Sequence, residues 1–209
     1  MARDGGPRGP YTTGDASPER ILDAATIAFS TQGYRGASLA QIAAAAGLTQ
    51  QGLLYHFGSK EGLLKAVLAD RDDRGISGWP TGRRIVGLGV LDMWDATIEQ
   101  NVRDYGLIRF AHVLGVEATD PAHPAHDVFM DHFEIGMEML VAALQSGIEA
   151  GEIRPDIDCS VIARQIIAMS EGLENQWLID PDGVDLVACF HDFTRELRRR
   201  IARRPDHPA

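Results

Sequence analysis

Histidine and aspartate residues, two kinds of side chain that bind metals, lie close together near the middle of the sequence. His123 and His126 flank Pro124, and Asp127 and Asp131 follow four residues apart. Residues four apart share one face of an α-helix, and imidazole and carboxylate groups are common metal ligands. A metal-binding helical enzyme that uses these four side chains is therefore one hypothesis for the chain. The simpler alternative places the two histidines in a proline-containing loop and the aspartates at a solvated helix start.

No other pattern in the sequence indicates an enzyme. It has no phosphate-binding loop, nucleotide-binding fold or catalytic triad, so no cofactor is expected. Cys159 and Cys189 are too few and too isolated for a disulfide framework or a thiolate zinc site, and we interpret them as buried free thiols. Proteins that bind a ligand or a macromolecule therefore become the main alternative class.

Length and composition set the size of the core and the compartment. With 209 residues, of which 44% are hydrophobic, the chain has enough material for one sizeable core or two small ones. No run of about eighteen apolar residues occurs, and none follows Met1, so neither a membrane span nor secretion is predicted. We expect a cytoplasmic protein.

The stretch Leu39–Phe57 indicates two short helices joined at a glycine. Ser38 is placed to cap the first helix, with Gln41 three residues on as the second half of a capping box. Gly47 ends that helix, since glycine tolerates the left-handed conformation of a helix end, and Thr49 caps the next one. Small alanines before Gly47 allow the two helices to pack closely, as in a helix-turn-helix unit.

The second short helix has an outer face suited to a DNA groove. Leu53 and Phe57 lie four apart and face inward, which leaves Gln50, Gln51, Leu54, Tyr55 and His56 outside. Glutamine amides pair with adenine and leucine meets the thymine methyl, so the glutamines and leucine of this outer face are predicted to read bases. The residues predicted to hold phosphates are Thr49, Tyr55, His56 and Lys60. A helical hairpin that packs but binds nothing is the alternative interpretation.

About a dozen residues between positions 33 and 61 follow one spaced pattern. Its parts are Gly33-Tyr34, Ser38, Ala46-Gly47, Tyr55-His56-Phe57 and Ser59-Lys60-Glu61. This pattern resembles the TetR family of bacterial transcriptional regulators. Gly52 replaces the usual threonine of the family, and Leu54 replaces an aromatic residue. The DNA-contacting set implied by the resemblance is Ser38, Thr49, Gln50, Gln51, Gly52, Leu54, Tyr55, His56 and Lys60.

The resemblance also implies an architecture and a mechanism. The fold would be all-α, with an N-terminal three-helix helix-turn-helix DNA-binding domain followed by a six-helix effector-binding and dimerisation domain. The protein would be a homodimeric repressor that a small molecule releases from a palindromic DNA operator, and not an enzyme. No membrane partner is implied.

The net charge of −10 is unevenly distributed. Residues 1–74 contain eight Lys or Arg and eight Asp or Glu, whereas residues 75–209 contain twelve and twenty-two, so the second half carries the whole excess. An acidic body repels the DNA backbone. This asymmetry predicts a neutral DNA-binding half that is separate from an acidic effector half.

Three segments are predicted along the chain. Residues 1–16 are rich in Gly and Pro and are expected to be a disordered tail, residues 17–62 to form the DNA-binding domain, and residues 63–209 the effector and dimerisation domain. Arg3 and Arg8 in the tail could reach a minor groove, although a solvated tail is the simpler interpretation. The other predicted helices span about 17–31, 59–73, 83–103, 105–118, a long stretch ending at 150, 158–179 and 185–202, with a loop over 75–82 and no strand.

The second half also resembles TetR-family members with a BetI-type C-terminal domain, through Glu117 to Pro121, Gly151 to Pro155 and Gln176-Trp177-Leu178. Large polarizable side chains on its helices could surround an apolar effector. The predicted pocket residues are Met93, Trp94, Phe110, Phe129, Phe133, Met137, Met169 and Trp177. Apolar residues on the last two helices exceed what one partner helix could cover, which predicts a four-helix dimer interface. The predicted interface residues are Ile162, Ile166, Leu173, Leu186, Phe190, Phe193 and Leu197.

Overall fold

The computed structural model describes residues 18–76 and 85–203 and, within 71–76, the backbone only. In these ranges the chain forms nine α-helices and no strand, and an isolated antiparallel bridge joins Ile153 to Ala202. The helices are α1 (Pro18–Gly36), α2 (Leu39–Ala45), α3 (Gln50–Phe57), α4 (Lys60–Ile76), α5 (Gly89–Asn101), α6 (Tyr105–Glu117), α7 (His126–Glu149), α8 (Cys159–Ile179) and α9 (Leu186–Ile201). The all-α prediction is confirmed.

Several sequence expectations fall outside the described residues. These are Ser17, where the first helix is predicted to begin, the tail 1–16 with Arg3 and Arg8, and most of the loop 75–82. Among the helices that are described, none is long and apolar enough to cross a membrane.

Side-chain caps fix where most helices begin. Thr49 Oγ1 accepts a hydrogen bond from the Gly52 N–H at 3.1 Å, and Ser59 Oγ accepts one from the Gly62 N–H at 2.9 Å. Asp158 and Asp185 cap α8 and α9 in the same way. These caps satisfy N–H groups that have no partner inside the helix. The predicted starts of α3, α4, α8 and α9 are therefore correct to within a residue.

Helix α5 begins later than the sequence indicated. It starts at Gly89 rather than near 83, and Val86, expected inside it, is 48% exposed. The chain turns at Gly87 (φ 58°), whose N–H donates to the Ala143 carbonyl oxygen at 2.9 Å. A Cβ on Gly147 of α7 would lie only 2.7 Å from the Gly87 Cα. The two glycines thus let the start of α5 cross α7 at backbone contact, a constraint that periodicity does not reveal.

The first hydrophobic core is formed by the four helices α1, α2, α3 and α4 together with the second half of α6. Phe29 of α1 and Phe110 of α6 are both fully buried, with ring centroids 6.4 Å apart. Leu63 and Leu64 of α4 are also fully buried in this core. The boundary predicted at residue 62 therefore separates α4 from the core against which it packs.

The second core is formed by α5, α7, α8 and α9. Phe190 on α9 is fully buried, and Leu197 on the same helix is 3% exposed. Polar pairs between α5 and α9 support this packing, among them Thr194 Oγ1, which donates to Asp95 Oδ1 at 2.8 Å. Helix α9 is therefore packed against its own subunit along most of its apolar face.

This packing corrects the residues predicted for the dimer interface. Five of the seven are buried within the subunit, at 0–6% exposure: Ile162, Ile166, Leu186, Phe190 and Leu197. Leu173 and Phe193 are half-buried. An amphipathic stripe shows that a face is covered but not whether the partner is the same chain or another.

The two cysteines also differ from the expectation that both are buried. Cys189 is exposed, and Cys159 is half-buried.

Candidate nucleic-acid interface and domain junction

Helices α2 and α3 form the predicted helix-turn-helix. The Gly47 N–H donates to the Ala44 carbonyl oxygen at 3.1 Å and the Leu48 N–H to the Ala43 carbonyl oxygen at 2.8 Å, with Gly47 at φ 76°. This double hydrogen-bond pattern is a Schellman ending. It turns the chain sharply, so that Leu53 of α3 is fully buried against the first core. One face of α3 is thereby fixed inward.

The opposite face of α3 is open to solvent. Gln50, Gln51 and His56 are exposed, and Tyr55 is 88% exposed. Leu54 and Gly52 are half-buried. A short helix with one buried face and a row of exposed amide and aromatic groups on the other fits the dimensions of a DNA major groove.

Two residues of the predicted DNA-contacting set are positioned differently from the expectation. Ser38 stands at the N-cap of α2 with extended backbone, but its hydroxyl makes no cap hydrogen bond, so the capping box with Gln41 does not form. Lys60 donates from Nζ to the Arg35 carbonyl oxygen at 3.3 Å and lies 4.9 Å from the centroid of the Tyr34 ring. Burial lowers the pKa of this ammonium, and the Glu117 carboxylate partly offsets that effect. Lys60 therefore supports the end of α1 as well as facing solvent.

Glu117, the last residue of α6, holds the end of α1. Its Oε2 accepts a hydrogen bond from the Tyr34 backbone N–H at 2.7 Å, across 83 residues of sequence. Its Oε1 occupies the space beside Gly33 that a Cβ would fill. Arg35 adds an exposed ion pair with Asp120 at 3.2 Å. The carboxylate thus joins the DNA-binding half to the effector half at the backbone.

The sequence did not indicate a role for Glu117. It falls within the stretch that resembles BetI-type members, but no local pattern links it to Tyr34. The one available signal was Gly33, whose conformation (φ 69°, ψ 173°) is open almost only to glycine.

The two histidines considered for a metal site point to different partners. His123 Nδ1 accepts from the Ala125 N–H at 3.2 Å, and its ring packs 5.2 Å from Tyr34. His126 Nδ1 lies 2.8 Å from the Ala118 carbonyl oxygen, a bond that closes the turn before α7. Burial lowers the pKa of His123, and the Glu117 carboxylate opposes this in part. No group of three metal-ligating residues is assembled in the described parts of the chain.

Seven of the eight residues predicted for the effector pocket divide into three groups. Phe110 and Phe129 belong to the first core, so their assignment to a pocket in the second half is corrected. Met93, Trp94 and Trp177 pack in or against the second core. Phe133 and Met137 line a cavity of about 610 Å³ between α7 and α8.

This cavity is open to solvent, since Met130 and Phe133 in its lining are 47% and 40% exposed, and its lining combines apolar with charged side chains. Its wall residues are Met130, Phe133, Glu134, Met137, Arg164, Ile167, Ala168 and Glu171. Desolvation raises the pKa of Glu171. The predicted Met169 is not among the lining residues and is 37% exposed on α8. The volume lies within the range of small-molecule sites.

Both halves of the chain match models of known protein families. Residues 21–67 match the family model of bacterial regulatory proteins, tetR family, and residues 89–184 match a tetracyclin repressor-like C-terminal domain. This second match does not confirm the BetI-type resemblance. The chain is 26% identical over 184 residues to the HTH-type transcriptional regulator UidR of Escherichia coli (strain K12), which covers 87% of this chain and 89% of UidR. It is 29% identical over 158 residues to the HTH-type transcriptional repressor KstR2 of Mycobacterium tuberculosis (strain ATCC 25618 / H37Rv), which covers 70% of this chain and 74% of KstR2.

Solved structures agree on the fold. A TetR transcriptional regulator from Chloroflexus aurantiacus aligns with a TM-score of 0.70 at 23% identity, covering 89% of this chain and 96% of that one. SmeT, described as the repressor of a Stenotrophomonas maltophilia multidrug efflux pump, aligns at 0.69 and 19% identity over 93% and 94% of the two chains. The matched relatives are regulators, and the metal-dependent enzyme gains no support from them. Two family models that together span residues 21–67 and 89–184 establish that the chain is a member of the TetR family, whose members are DNA-binding transcriptional regulators and not enzymes.

Proposed function

We propose that the protein is a cytoplasmic repressor that binds a near-palindromic operator as a homodimer and leaves it when a small molecule binds. The observation that carries this proposal is the exposed row on α3, held in place by the Thr49 cap and the buried Leu53. KstR2 and SmeT, whose names describe them as repressors, support repression rather than activation.

Within α3 we assign two kinds of contact. Gln50 and Gln51 are exposed and offer amide groups that match the N6 and N7 edge of adenine, while the half-buried Leu54 meets a thymine methyl. The residues assigned to phosphates are Thr49, Tyr55 and His56, with Lys60 at the edge.

The assignment of Gln50 is tested by comparing specific with non-specific DNA. Each bidentate glutamine–adenine pair discriminates by about 1–3 kcal/mol. Gln50→Ala should therefore weaken operator binding and leave binding to unrelated duplex unchanged, as measured by fluorescence anisotropy. Gln145→Ala, at an exposed glutamine on α7, is the matched control. Equal weakening on both DNAs would make the base-reading role of Gln50 wrong.

The homodimer is proposed to form through the outer faces of α8 and α9. With the apolar stripe of α9 used inside the subunit, the face that remains on α8 includes Val161 and Met169, exposed by 48% and 37%. Gly172 lies on the same helix, and an added Cβ there meets open space. A second copy seated on this face would place two α3 helices in successive major grooves, roughly 34–36 Å apart.

Gly172→Arg tests this dimer without disturbing the subunit. An added Cβ at this position meets no atom of the described chain within 4 Å, and arginine favours a helix more than glycine does. We expect a folded monomer by light scattering and a loss of operator binding. Gly136→Arg on α7, where a Cβ also meets open space, should remain dimeric. A dimeric Gly172→Arg protein would rule out this interface.

For the effector we propose the cavity between α7 and α8. Its apolar wall, with Phe133 and Met137, suits a small apolar molecule, and Arg164 or Glu171 at the rim could orient it. A ligand weakens DNA binding only if it prefers the conformation whose α3 spacing does not fit the operator. The Glu117–Tyr34 bond is one route by which a shift of α6 reaches the DNA-binding half.

The decisive experiment combines the protein with its own upstream DNA. Gel shifts with that DNA should give a specific complex that one member of a metabolite panel dissociates. Phe133→Trp should change the response to that metabolite but not the affinity for DNA alone, because it lines the cavity and not the DNA face. Failure to bind any sequence more tightly than random duplex would refute the repressor assignment.

A further inference from the structure

A second concave surface lies between α6 and α8, away from the α7–α8 cavity. It is open to solvent, has a volume of about 570 Å³ and is called here the α6–α8 groove. Five of its residues follow one face of α6 at spacings of three and four: Tyr105, Arg109, His112, Val113 and Val116. Asn175, Leu178 and Ile179 of α8 form the facing wall, and Glu117 lies at the end nearest α1.

The charges in the α6–α8 groove are satisfied except for one. His112 Nε2 lies 3.0 Å from Glu174 Oε2, and Asn101 Nδ2 donates to Glu174 Oε1 at 2.6 Å, so that buried carboxylate has two partners. Glu117 is held by the Tyr34 N–H. Arg109 is half-buried and has neither an ion pair nor a side-chain hydrogen bond with any other residue of the described chain. A guanidinium without a partner beside apolar surface favours an anion.

The wall next to Arg109 is apolar and open. Val116 on α6 is 73% exposed and offers apolar surface to a ligand. Ile179 of the facing wall is 76% exposed, but it shares the face of α8 that carries Val161 and is proposed above for the dimer, so the ligand is placed along α6. From Arg109 to Val116 the α6 axis advances about 10 Å, since each residue rises 1.5 Å. A ligand that uses both ends of the groove therefore needs an anionic head and an apolar body of comparable length.

We propose that the α6–α8 groove is a binding site for a small amphipathic carboxylate. The carboxylate pairs with the Arg109 guanidinium, and its apolar chain lies along Val113 and Val116. Guanidinium and carboxylate form two parallel charge-assisted hydrogen bonds, which a neutral or cationic head cannot reproduce. Asn175 on the facing wall offers an amide donor to the same head. This site is distinct from the effector cavity proposed above, and its occupation does not require DNA.

The probe for this site is decanoate, compared with decanol and decyltrimethylammonium. Trp177 lies 5.3 Å from the Tyr105 ring, centroid to centroid, and Tyr105 lines the groove. Fluorine NMR of fluorotryptophan-labelled protein therefore reports on the groove, with Trp177→Phe assigning the resonance. We expect decanoate to shift the Trp177 signal saturably and the two analogues to bind roughly tenfold more weakly or worse.

Two variants separate the groove from the other cavity. Arg109→Gln should weaken decanoate binding roughly tenfold or more, because it removes the charged partner and keeps a shorter, neutral polar side chain. Arg164→Gln, at the arginine of the α7–α8 cavity, is the matched control and should leave the affinity unchanged. Val116→Glu adds a negative charge at a largely exposed site, so it should abolish binding while thermal unfolding stays the same.

Three outcomes would overturn the inference. The first is that decanoate binds the Arg109→Gln protein as tightly as the unmodified protein, and the second is that decanol binds as tightly as decanoate. The third is that Arg164→Gln, and not Arg109→Gln, weakens decanoate binding. Each result would exclude an ion pair between the carboxylate and Arg109. None of these results bears on operator binding, which is measured separately by gel shift. A failure of the groove and a failure of the repressor assignment are thus told apart.

Discussion

The contact between Gly33 and Glu117 provides the most specific test of how the two halves are joined. Gly33 has φ 69° and ψ 173°, a conformation that costs a non-glycine residue about 1–3 kcal/mol. A Cβ there would also overlap Glu117 Oε1. Gly33→Ala should therefore strain the backbone and displace the carboxylate from the Tyr34 N–H at the same time.

The magnitudes follow from these two effects. Displacing a charged partner from a hydrogen bond of 2.7 Å costs about 1.5–3 kcal/mol, so Gly33→Ala should lower the free energy of unfolding by roughly 2.5–6 kcal/mol. Glu117→Ala alone leaves the Tyr34 N–H without its partner and should cost about 1–3 kcal/mol. In the double variant the carboxylate is already absent, so only the backbone strain is added.

A double-mutant cycle by urea denaturation measures this prediction. The double variant should be more stable than the sum of the two single effects by about 1.5–3 kcal/mol, which is well above the roughly 0.5 kcal/mol expected of independent sites. Glu117→Gln is the control, since its amide oxygen keeps an acceptor for Tyr34 and should cost less than Glu117→Ala. Additive single effects would refute the claim that one carboxylate supports the Gly33-Tyr34 backbone.

Three further predictions address charge, pH and the core. Few cations lie near α3 in the part of the chain that the structure describes. The logarithm of operator affinity should therefore fall with the logarithm of salt concentration with a slope of about −4 to −5 for the dimer, and Lys60→Ala should reduce the slope by about two units. A slope near −10 would contradict the neutral DNA-binding half. Burial lowers the pKa of His123, so the stability gained by keeping this ring neutral is present above the ordinary histidine pKa and is lost as the pH falls through the lowered pKa. His123→Asn keeps an acceptor for the Ala125 N–H and should lose less stability than the unmodified protein on acidification, as measured by urea unfolding curves. An identical pH profile for the two proteins would exclude His123 as the cause. Phe110→Ala should lower the free energy of unfolding by about 3–5 kcal/mol, since the ring is fully buried against Phe29, and a change below about 1 kcal/mol would instead favour the pocket assignment.

Sequence reasoning succeeded where structure is decided by neighbouring residues. Thr49 and Asp158 cap their helices because hydroxyl and carboxylate oxygens reach N–H groups two or three residues on, and Gly47 ends α2 because it has no Cβ. The exposed row on α3 follows from the period of the helix once Leu53 is known to face inward. These features depend on fewer than ten residues each and are therefore visible in the sequence.

Sequence reasoning failed where the packing partner of a side chain lies far away in the sequence. Phe110 was assigned to a pocket in the second half, yet it packs on Phe29 in the first core, because nothing local distinguishes the two destinations of an apolar side chain on α6. Phe190 was assigned to a second subunit for the same reason. The partner of Glu117 lies 83 residues away, so the residue that joins the two halves could not be identified before the fold was known.

The crossing of Gly87 and Gly147 holds the start of α5 against α7 in the effector half. The two backbones approach closely there, since a Cβ on Gly147 would lie 2.7 Å from the Gly87 Cα and 2.6 Å from Ile153 Cδ1. Pulling the helices apart would break the Gly87 N–H bond to the Ala143 carbonyl oxygen and expose the surface beneath. The pair is thus a point of backbone contact that resists separation of the two helices. A side chain at either position would act as a wedge between them.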